Sequence, residues 1–349
     1  MASEPTIDTA QHHWPRAGLE EIPVLDLGDY LAGKAGAAEQ LGAGLRDAQE
    51  RIGFFYIHNH GVPQDLIDRM FAETSRFHAQ PLDRKTSIKI DEQQTGYAPM
   101  QSSEIKYGDA VVDGRHKPDL SEALWLRRDI PDDDPELLAG RRFRRNKWPE
   151  GLPGFRDTVG EYMVAMEQLG RRMLPLYALA LDLPADYFAP FFVRADIPCR
   201  FGHYPAHLGG PDHFGAAPHT DAGFMTLLPQ AKEAGLEIFT RSKRWIPAPV
   251  RPGDILVNGG NCLVRFTNGR FLATPHRVVG GLPRDRYSIP LFYNPAFDAV
   301  VAPVPTCARA DGSAGFAPIR YEDYIAGYLA SVYAHQARAA AREQSAQHA

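Results

Sequence analysis

Apolar residues recur at helical spacing in the first half of the chain and at strand spacing in the second. From Ala37 to Arg51, the positions Leu41, Leu45 and Ala48, with Ile52 beyond them, fall on one face of a helix that Gly53 ends. Phe54–His60 (FFYIHNH) then reads as a buried strand. Pro63 opens a second helix, with Leu66, Ile67, Met70 and Phe77 on its apolar side. Residues 154–181 carry the longest helical pattern, through Phe155, Val159, Tyr162, Met163, Met166, Leu169, Leu174 and Leu181. After Pro184 the runs shorten and turn residues separate them: FMTLLPQ (224–230), LEIFTR (236–241), DILVN (254–258), CLVRFTNGRFLAT (262–274) and RYSIPLFYN (286–294). These predict short strands, with Asn268-Gly269 as the turn of a hairpin between CLVRF and RFLAT. A last helix is predicted from Tyr321 to His335, followed by an Ala-rich tail, Ala334 to Ala349, read as a frayed helix end. The pattern implies a β sandwich or barrel at 195–305 with helices on either side, and there is no βαβ alternation. Residues 85–150 show no clear period, and the acidic and basic runs between Ile130 and Gly154 read as a solvated surface excursion.

Composition narrows the function classes. In 349 residues, 44% hydrophobic and 23% charged side chains are globular values, and the chain is long enough for a large core. A net charge of −5, from 38 basic and 43 acidic residues, gives no electrostatic reason to expect nucleic acid or an anionic membrane as partner. The three cysteines, Cys199, Cys262 and Cys307, form no metal or disulfide pattern, so a reducing, cytoplasmic setting is expected. The N-terminus lacks the layout of a secretory signal, and no apolar run is long enough to span a bilayer. Nothing in the sequence bears on oligomeric state. Phosphate-loop, dinucleotide-binding, nucleophile-elbow and zinc-protease motifs are all missing.

The positive chemical signal begins at APHTDAGFMTLL. His219 and Asp221 are two apart, so on an extended strand they project from one face and can converge on one cation. His276 in TPHRVV can supply a third ligand from a neighbouring strand. Two imidazoles and a carboxylate on one face of iron(II) leave adjacent positions for a chelating co-substrate and dioxygen. Taken alone, a His-x-Asp pair is common by chance and more often no metal site, and a single His such as His276 fits a satisfied core position; the three together at this separation weigh evenly between the two readings. On the following strand Arg286 and Ser288 share a face; a buried guanidinium there needs an anion, and its fork suits a carboxylate. Alternation alone allows the opposite orientation equally, with Tyr287, Ile289 and Leu291 inward and Arg286 solvated.

HTD, a distal His and RYS together resemble the isopenicillin N synthase-like branch of the iron(II)/2-oxoglutarate-dependent dioxygenases. IPVLDLGDYL (22–31) and GFFYIHNHGVP (53–63) are similar to that branch's N-terminal segment; RFGHYP (200–205), TNGRF (267–271) and RYSIPLFYNP (286–295) are similar to its core. Residues 85–150 fit poorly, and Asn261 stands where many relatives carry Asp. The resemblance implies a mainly β, double-stranded β-helix (jelly roll, cupin-like) core with flanking helices. It divides the chain into an N-terminal mixed segment (1–184), the core (185–305) and a C-terminal helix and tail (306–349). It implies iron held by His219, Asp221 and His276. Arg286 and Ser288 would hold the far carboxylate of 2-oxoglutarate, and Tyr204 would donate to the same molecule. The implied reaction consumes O2 and 2-oxoglutarate, with ascorbate as a reductant, and oxidises a small-molecule metabolite while releasing succinate and CO2. Hydroxylation is the default, with desaturation or ring closure as variants. Phe201, His203, Phe224, Phe292, Asn294 and Tyr97 are the substrate-facing candidates, and 93–108, with Tyr97 and Lys106, is a candidate lid. Two rival readings stand beside this one: an oxidase of the isopenicillin N synthase or aminocyclopropane carboxylate oxidase type that uses no 2-oxoglutarate, and a non-catalytic metal-binding jelly roll.

Overall fold

The computed structural model describes residues 22–91, 94–100, 119–134, 138, 145–209, 213–308 and 315–332. Within them a large sheet is built from β1 (Val24–Asp26), β2 (Phe54–His58), β3 (Gly96–Ala98), β4 (Glu122–Leu126) and β5 (Cys199–Tyr204). A smaller sheet contains β6 (Phe214–His219), and the large sheet takes β7 (Met225–Pro229). The smaller sheet adds β8 (Leu236–Phe239) and β9 (Trp245–Pro247), the large one β10 (Ile255–Gly259), the smaller one β11 (His276–Val279), and the large one β12 (Arg286–Ser288) and β13 (Leu291–Tyr293). The large sheet runs β1-β2-β10-β7-β13-β5-β4-β3, with β12 also paired to β5; the smaller runs β6-β11-β8-β9. Only β1 and β2 pair in parallel, through the helix Ala37–Arg51; the other strand pairs of these two sheets are antiparallel.

Period-two alternation sends strands such as β2, β5 and β10 into two separate cores. On β2, Phe55 and Ile57 pack toward the helices, while Phe54 and Tyr56 face the smaller sheet. The helix layer is led by Phe155–Ala180, the helix expected over 154–181. It lies so close to β13 that a methyl on Gly170 would sit 2.6 Å from the Tyr293 ring. The inter-sheet layer holds Ala216, Ile238, Ile246 and Val278 of the smaller sheet. This is a jelly-roll core with flanking helices, as the resemblance implied.

Three expectations are corrected. CLVRF is not a strand: Asn261–Phe266 is a helix whose Cys262, Leu263 and Phe266 are buried. Asn268 and Gly269, both at positive φ, end that helix, and Gly269 N–H donates to Val264 O at 2.8 Å. A left-handed pair serves a helix terminus as well as a hairpin, and here the tertiary pocket for Leu263 and Phe266 decides. RYSIPLFYN is split by Pro290, which cannot donate to a ladder, into β12 and β13. Tyr97 lies on β3 inside the large sheet, 1% exposed, so this part of the candidate lid is core. Residues 101–108 with Lys106, residues 333–335 of the last helix and the Ala-rich tail lie outside the described residues. No described helix is long and apolar enough to cross a membrane.

Candidate metal centre and co-substrate pocket

Strand β6 ends at His219, and the turn after it carries Asp221; β11 begins at His276, which pairs directly with His219. Asp221 Oδ1 lies 3.9 Å from His219 Nε2 and 3.7 Å from His276 Nε2, and the imidazole centroids are 4.2 Å apart. The remaining polar atoms of all three are already engaged. His219 Nδ1 lies 2.8 Å from Ala217 O and His276 Nδ1 lies 3.1 Å from Thr274 O; with Nδ1–H donating to each carbonyl, both Nε2 lone pairs turn to one point. Asp221 Oδ2 accepts from the Thr226 hydroxyl and, at 2.8 Å, from Asn258 Nδ2, which leaves Oδ1 for a cation. Burial and the adjacent His276 push His219 down to about 4, so it is neutral at physiological pH. Burial acts to raise Asp221, but the two imidazoles and its hydrogen bonds outweigh it and hold it below the ordinary carboxylate range. Two imidazoles and one carboxylate fit iron(II) and leave further positions open.

The three ligand atoms open into a cavity of about 220 Å³ between the two sheets. Arg286 and Ser288 lie on its wall, both about nineteen-twentieths buried. Alternation therefore resolves inward, with Tyr287 on the opposite face beside His203. Among the described residues, Arg286 Nε and Nη1 and Ser288 Oγ have no hydrogen-bond partner. Buried donors of this kind are costly unless an acceptor completes them, and a carboxylate of 2-oxoglutarate fits the set. Tyr204 pairs with Arg286 across β5 and β12, and the guanidinium carbon sits 5.0 Å from its ring centroid. Burial acts upward on the Tyr204 phenol, yet Arg200 and Arg286 together hold it below its ordinary value.

The six substrate-facing candidates divide. Phe292 and Asn294 line the cavity; Phe201, His203, Phe224 and Tyr97 do not. Phe201 and His203 have the wrong parity on β5, whose cavity face is Arg200, Gly202 and Tyr204. Phe201 and Phe224 belong to the helix-side core. His203 and Tyr97 instead meet at Glu122. His203 Nδ1 lies 2.8 Å from Glu122 Oε1, and the Tyr97 hydroxyl donates to Oε2. His78 completes a second His/Glu/His grouping, but Lys85 already supplies its cation, 2.8 Å from Glu122 Oε2. That grouping is a charge-balanced core network. Asn261 donates through its side chain to Thr220 Oγ1 at 3.0 Å and through its backbone N–H to the Asp221 carbonyl at 2.7 Å, so it braces the turn that carries Asp221.

Sequence reasoning missed Arg200, which shares the face of Tyr204 and donates to it, and missed Trp125 and Arg127 on the alternate positions of the poorly patterned β4 segment. It also missed Thr226 and Asn258, for which a lone polar residue in an apolar strand run was the available signal.

Comparison with known proteins gives the same direction. Residues 22–151 match the family described as non-haem dioxygenase in morphine synthesis N-terminal, and residues 195–295 match the 2OG-Fe(II) oxygenase superfamily. A 2-oxoglutarate-Fe(II) type oxidoreductase of Emericella nidulans is 31% identical over 89% of this chain and 90% of its own. The chain belongs to the 2OG-Fe(II) oxygenase superfamily. A 2OG-Fe(II) oxygenase family protein of Caulobacter crescentus superposes with a TM-score of 0.76 at 26% identity, covering 88% of this chain and 98% of that one. A full-length Neurospora crassa protein, solved in complex with alpha-KG, shares the fold with a TM-score of 0.77 at 24% identity over 88% and 96% of the two chains. This oxygenase is thus an oxidoreductase working with Fe(II), 2-oxoglutarate and O2. The oxidase that dispenses with 2-oxoglutarate and the inert metal-binding jelly roll are not favoured.

Proposed function

We propose that His219, Asp221 and His276 hold the iron of this oxygenase, and that Arg286 and Ser288 hold the far carboxylate of 2-oxoglutarate with Tyr204 as a further donor. The observation that carries the reading is the juxtaposition, in one cavity, of three converging ligand atoms with the orphaned donors of Arg286 and Ser288. Bound iron(II), with 2-oxoglutarate and O2, supplies oxidation of a substrate C–H bond coupled to decarboxylation of 2-oxoglutarate to succinate and CO2. The protein's own part is to position and to keep dry. Backbone carbonyls fix the tautomers of both ligand imidazoles, and Thr226 and Asn258 fix the ligand carboxylate. Arg286 neutralises the co-substrate's far end, and apolar side chains such as Leu236 and Val278 exclude water around it. The substrate is a small-molecule metabolite, and hydroxylation is the expected outcome. The free thiols of Cys199, Cys262 and Cys307 support a reducing, cytoplasmic setting.

Iron content of the His219→Ala, Asp221→Ala and His276→Ala variants tests the ligand set, and it should fall to background in each. Arg286→Ala should keep its iron and raise the KM for 2-oxoglutarate. Full iron content in all three ligand variants would overturn the assignment.

A further inference from the structure

The end of the cavity away from Arg286 is lined differently, and its reading rests on the placement of 2-oxoglutarate just proposed. Phe292 pairs with Thr226, whose hydroxyl holds Asp221, so Phe292 marks the level of the metal centre on the large sheet. On one side of that level Arg286 pairs with Tyr204. On the other, Asn294 bridges Asp196. With 2-oxoglutarate on the Arg286 side, a substrate reaches the metal from the Asp196 side.

That side has an apolar shelf and a polar end. Trp125 and Phe292 stack with centroids 5.8 Å apart at 17° and line the cavity. Facing them, the helix Tyr321–Val332 presents Tyr321, Ile325, Tyr328 and Leu329, one face of a helix by their spacing. Tyr324 hydroxyl donates to Ala222 O at 2.8 Å, tying this helix to the turn that carries Asp221. At the polar end Arg127 Nη1 is paired with the Asp196 carboxylate. Arg127 Nε and the Tyr321 hydroxyl are both buried and, among the described residues, without a hydrogen-bond partner.

The charges lining the cavity decide what such a site accepts. Among the described residues Arg127, Arg200 and Arg286 face Asp119, Asp196 and Asp221, three of each sign. Iron(II) and the 2-oxoglutarate dianion add two charges of each sign and keep the balance. An ionic substrate would bring an uncompensated charge into a desolvated space. We infer that this end of the cavity is the substrate subsite, and that it takes an uncharged molecule with a planar apolar body, seated on Trp125 and Phe292, whose hydrogen-bond acceptor meets Arg127 and Tyr321.

Three bicyclic probes of similar size separate the components: coumarin (uncharged, with a carbonyl acceptor), naphthalene (no acceptor) and 2-naphthoate (anionic). Binding to the iron-loaded full chain is measured by equilibrium dialysis in saturating 2-oxoglutarate, after 2-oxoglutarate binding itself has been measured the same way. Absence of 2-oxoglutarate binding would count against the site assignment beneath this inference. Given that binding, coumarin should hold about tenfold more tightly than 2-naphthoate, the size of an unpaired charge partly relieved by solvent. It should exceed naphthalene by about fivefold, the worth of one hydrogen bond. Tyr321→Phe, which removes one hydroxyl, should erase most of the second difference and leave 2-oxoglutarate binding unchanged. Arg127→Lys keeps the charge beside Asp196, loses Nε and should do the same. Tightest binding by 2-naphthoate, an unaltered coumarin advantage in both variants, or no probe binding in a protein that binds 2-oxoglutarate would each overturn the inference.

Discussion

Arg200 Nη1 donates to the phenol oxygen of Tyr204 at 2.9 Å, while its Nη2 donates to Ser121 Oγ at 3.1 Å. With one lone pair of that oxygen taken, the phenol's own hydrogen is free to turn toward an acceptor near Arg286 and Ser288. Tyr204→Phe removes that donor and keeps the ring between the two guanidinium groups. A several-fold rise in the KM for 2-oxoglutarate is expected, smaller than for Arg286→Ala, because a hydrogen bond to a charged acceptor contributes about 1.5–3 kcal/mol and Arg286 still holds the same end. Steady-state kinetics and a melting curve on the one variant check it; a lowered Tm with an unaltered KM would make Tyr204 a packing residue only.

Thr226 would act on the proposed iron through Asp221, without touching the metal itself. Its hydroxyl and Asn258 Nδ2 occupy Asp221 Oδ2, leaving Oδ1 aimed at the point shared with both imidazoles. Thr226→Val preserves shape and deletes one of these bonds. Supporting hydrogen bonds of this type are worth about 10–100-fold in metal affinity. Titration with iron(II) under anaerobic conditions should show a shift at the low end of that range, since Asn258 remains; identical affinity in the variant would mean that Asp221 is oriented by its turn alone.

The proposed ligand set of His219, Asp221 and His276 was legible through its recognisable motif; strand parity was the wrong reason for the first pair, since β6 ends at His219 and Asp221 lies in the turn beyond it. Arg286 was ambiguous on alternation and became legible through the resemblance. Phe201 and His203 were misplaced by ignoring strand parity: on β5 they lie on the face opposite Tyr204, whose place the resemblance had supplied. The helix at Asn261–Phe266 was read as a strand because a short apolar run has no decisive period. The segment around β4 stayed illegible for a physical reason. Its helix-facing positions Glu122, Leu124 and Leu126 include a buried carboxylate, while its cavity-facing positions run from Ser121 to Arg127, so neither face looks apolar. Glu122 is intelligible only with Lys85, His78 and His203 beside it.

Gly202 lies between Tyr204 and Arg200 on the cavity face of β5. A methyl there would overlap Arg200 Nη1 and come within 2.9 Å of Ser288 Oγ. Gly202→Ala should therefore displace both side chains, raise the KM for 2-oxoglutarate by about tenfold or more and spare iron content, since no ligand is nearby; a tenfold change is about 1.4 kcal/mol. Iron analysis alongside kinetics checks both halves. Unchanged kinetics would show that Arg200 can leave the site at no cost to the co-substrate.

Glu122 makes acid sensitivity a property of the core beside the site. Burial acts to raise its pKa, but hydrogen bonds from His203, His78, Lys85 and Tyr97 outweigh it and hold the carboxyl well below its ordinary value of 4.5. A carboxyl depressed in the folded state stabilises that state above its unfolded pKa, and the benefit is lost as pH falls from about 4.5 toward the folded value. His78 adds to the trend, because burial lowers its pKa from 6.5 and the folded state resists the proton that the unfolded chain accepts. At pH 7, Glu122→Gln should cost about 3–5 kcal/mol, since it strands the Lys85 ammonium in the core. Urea unfolding at several pH values should show wild type losing stability below pH 6.5 and then more steeply below 4.5, with the gap to Glu122→Gln closing over the lower interval. Glu122→Gln combined with Lys85→Met should recover part of the loss at pH 7. Parallel curves for wild type and Glu122→Gln down to pH 4 and below would mean that the carboxyl does not carry the acid response.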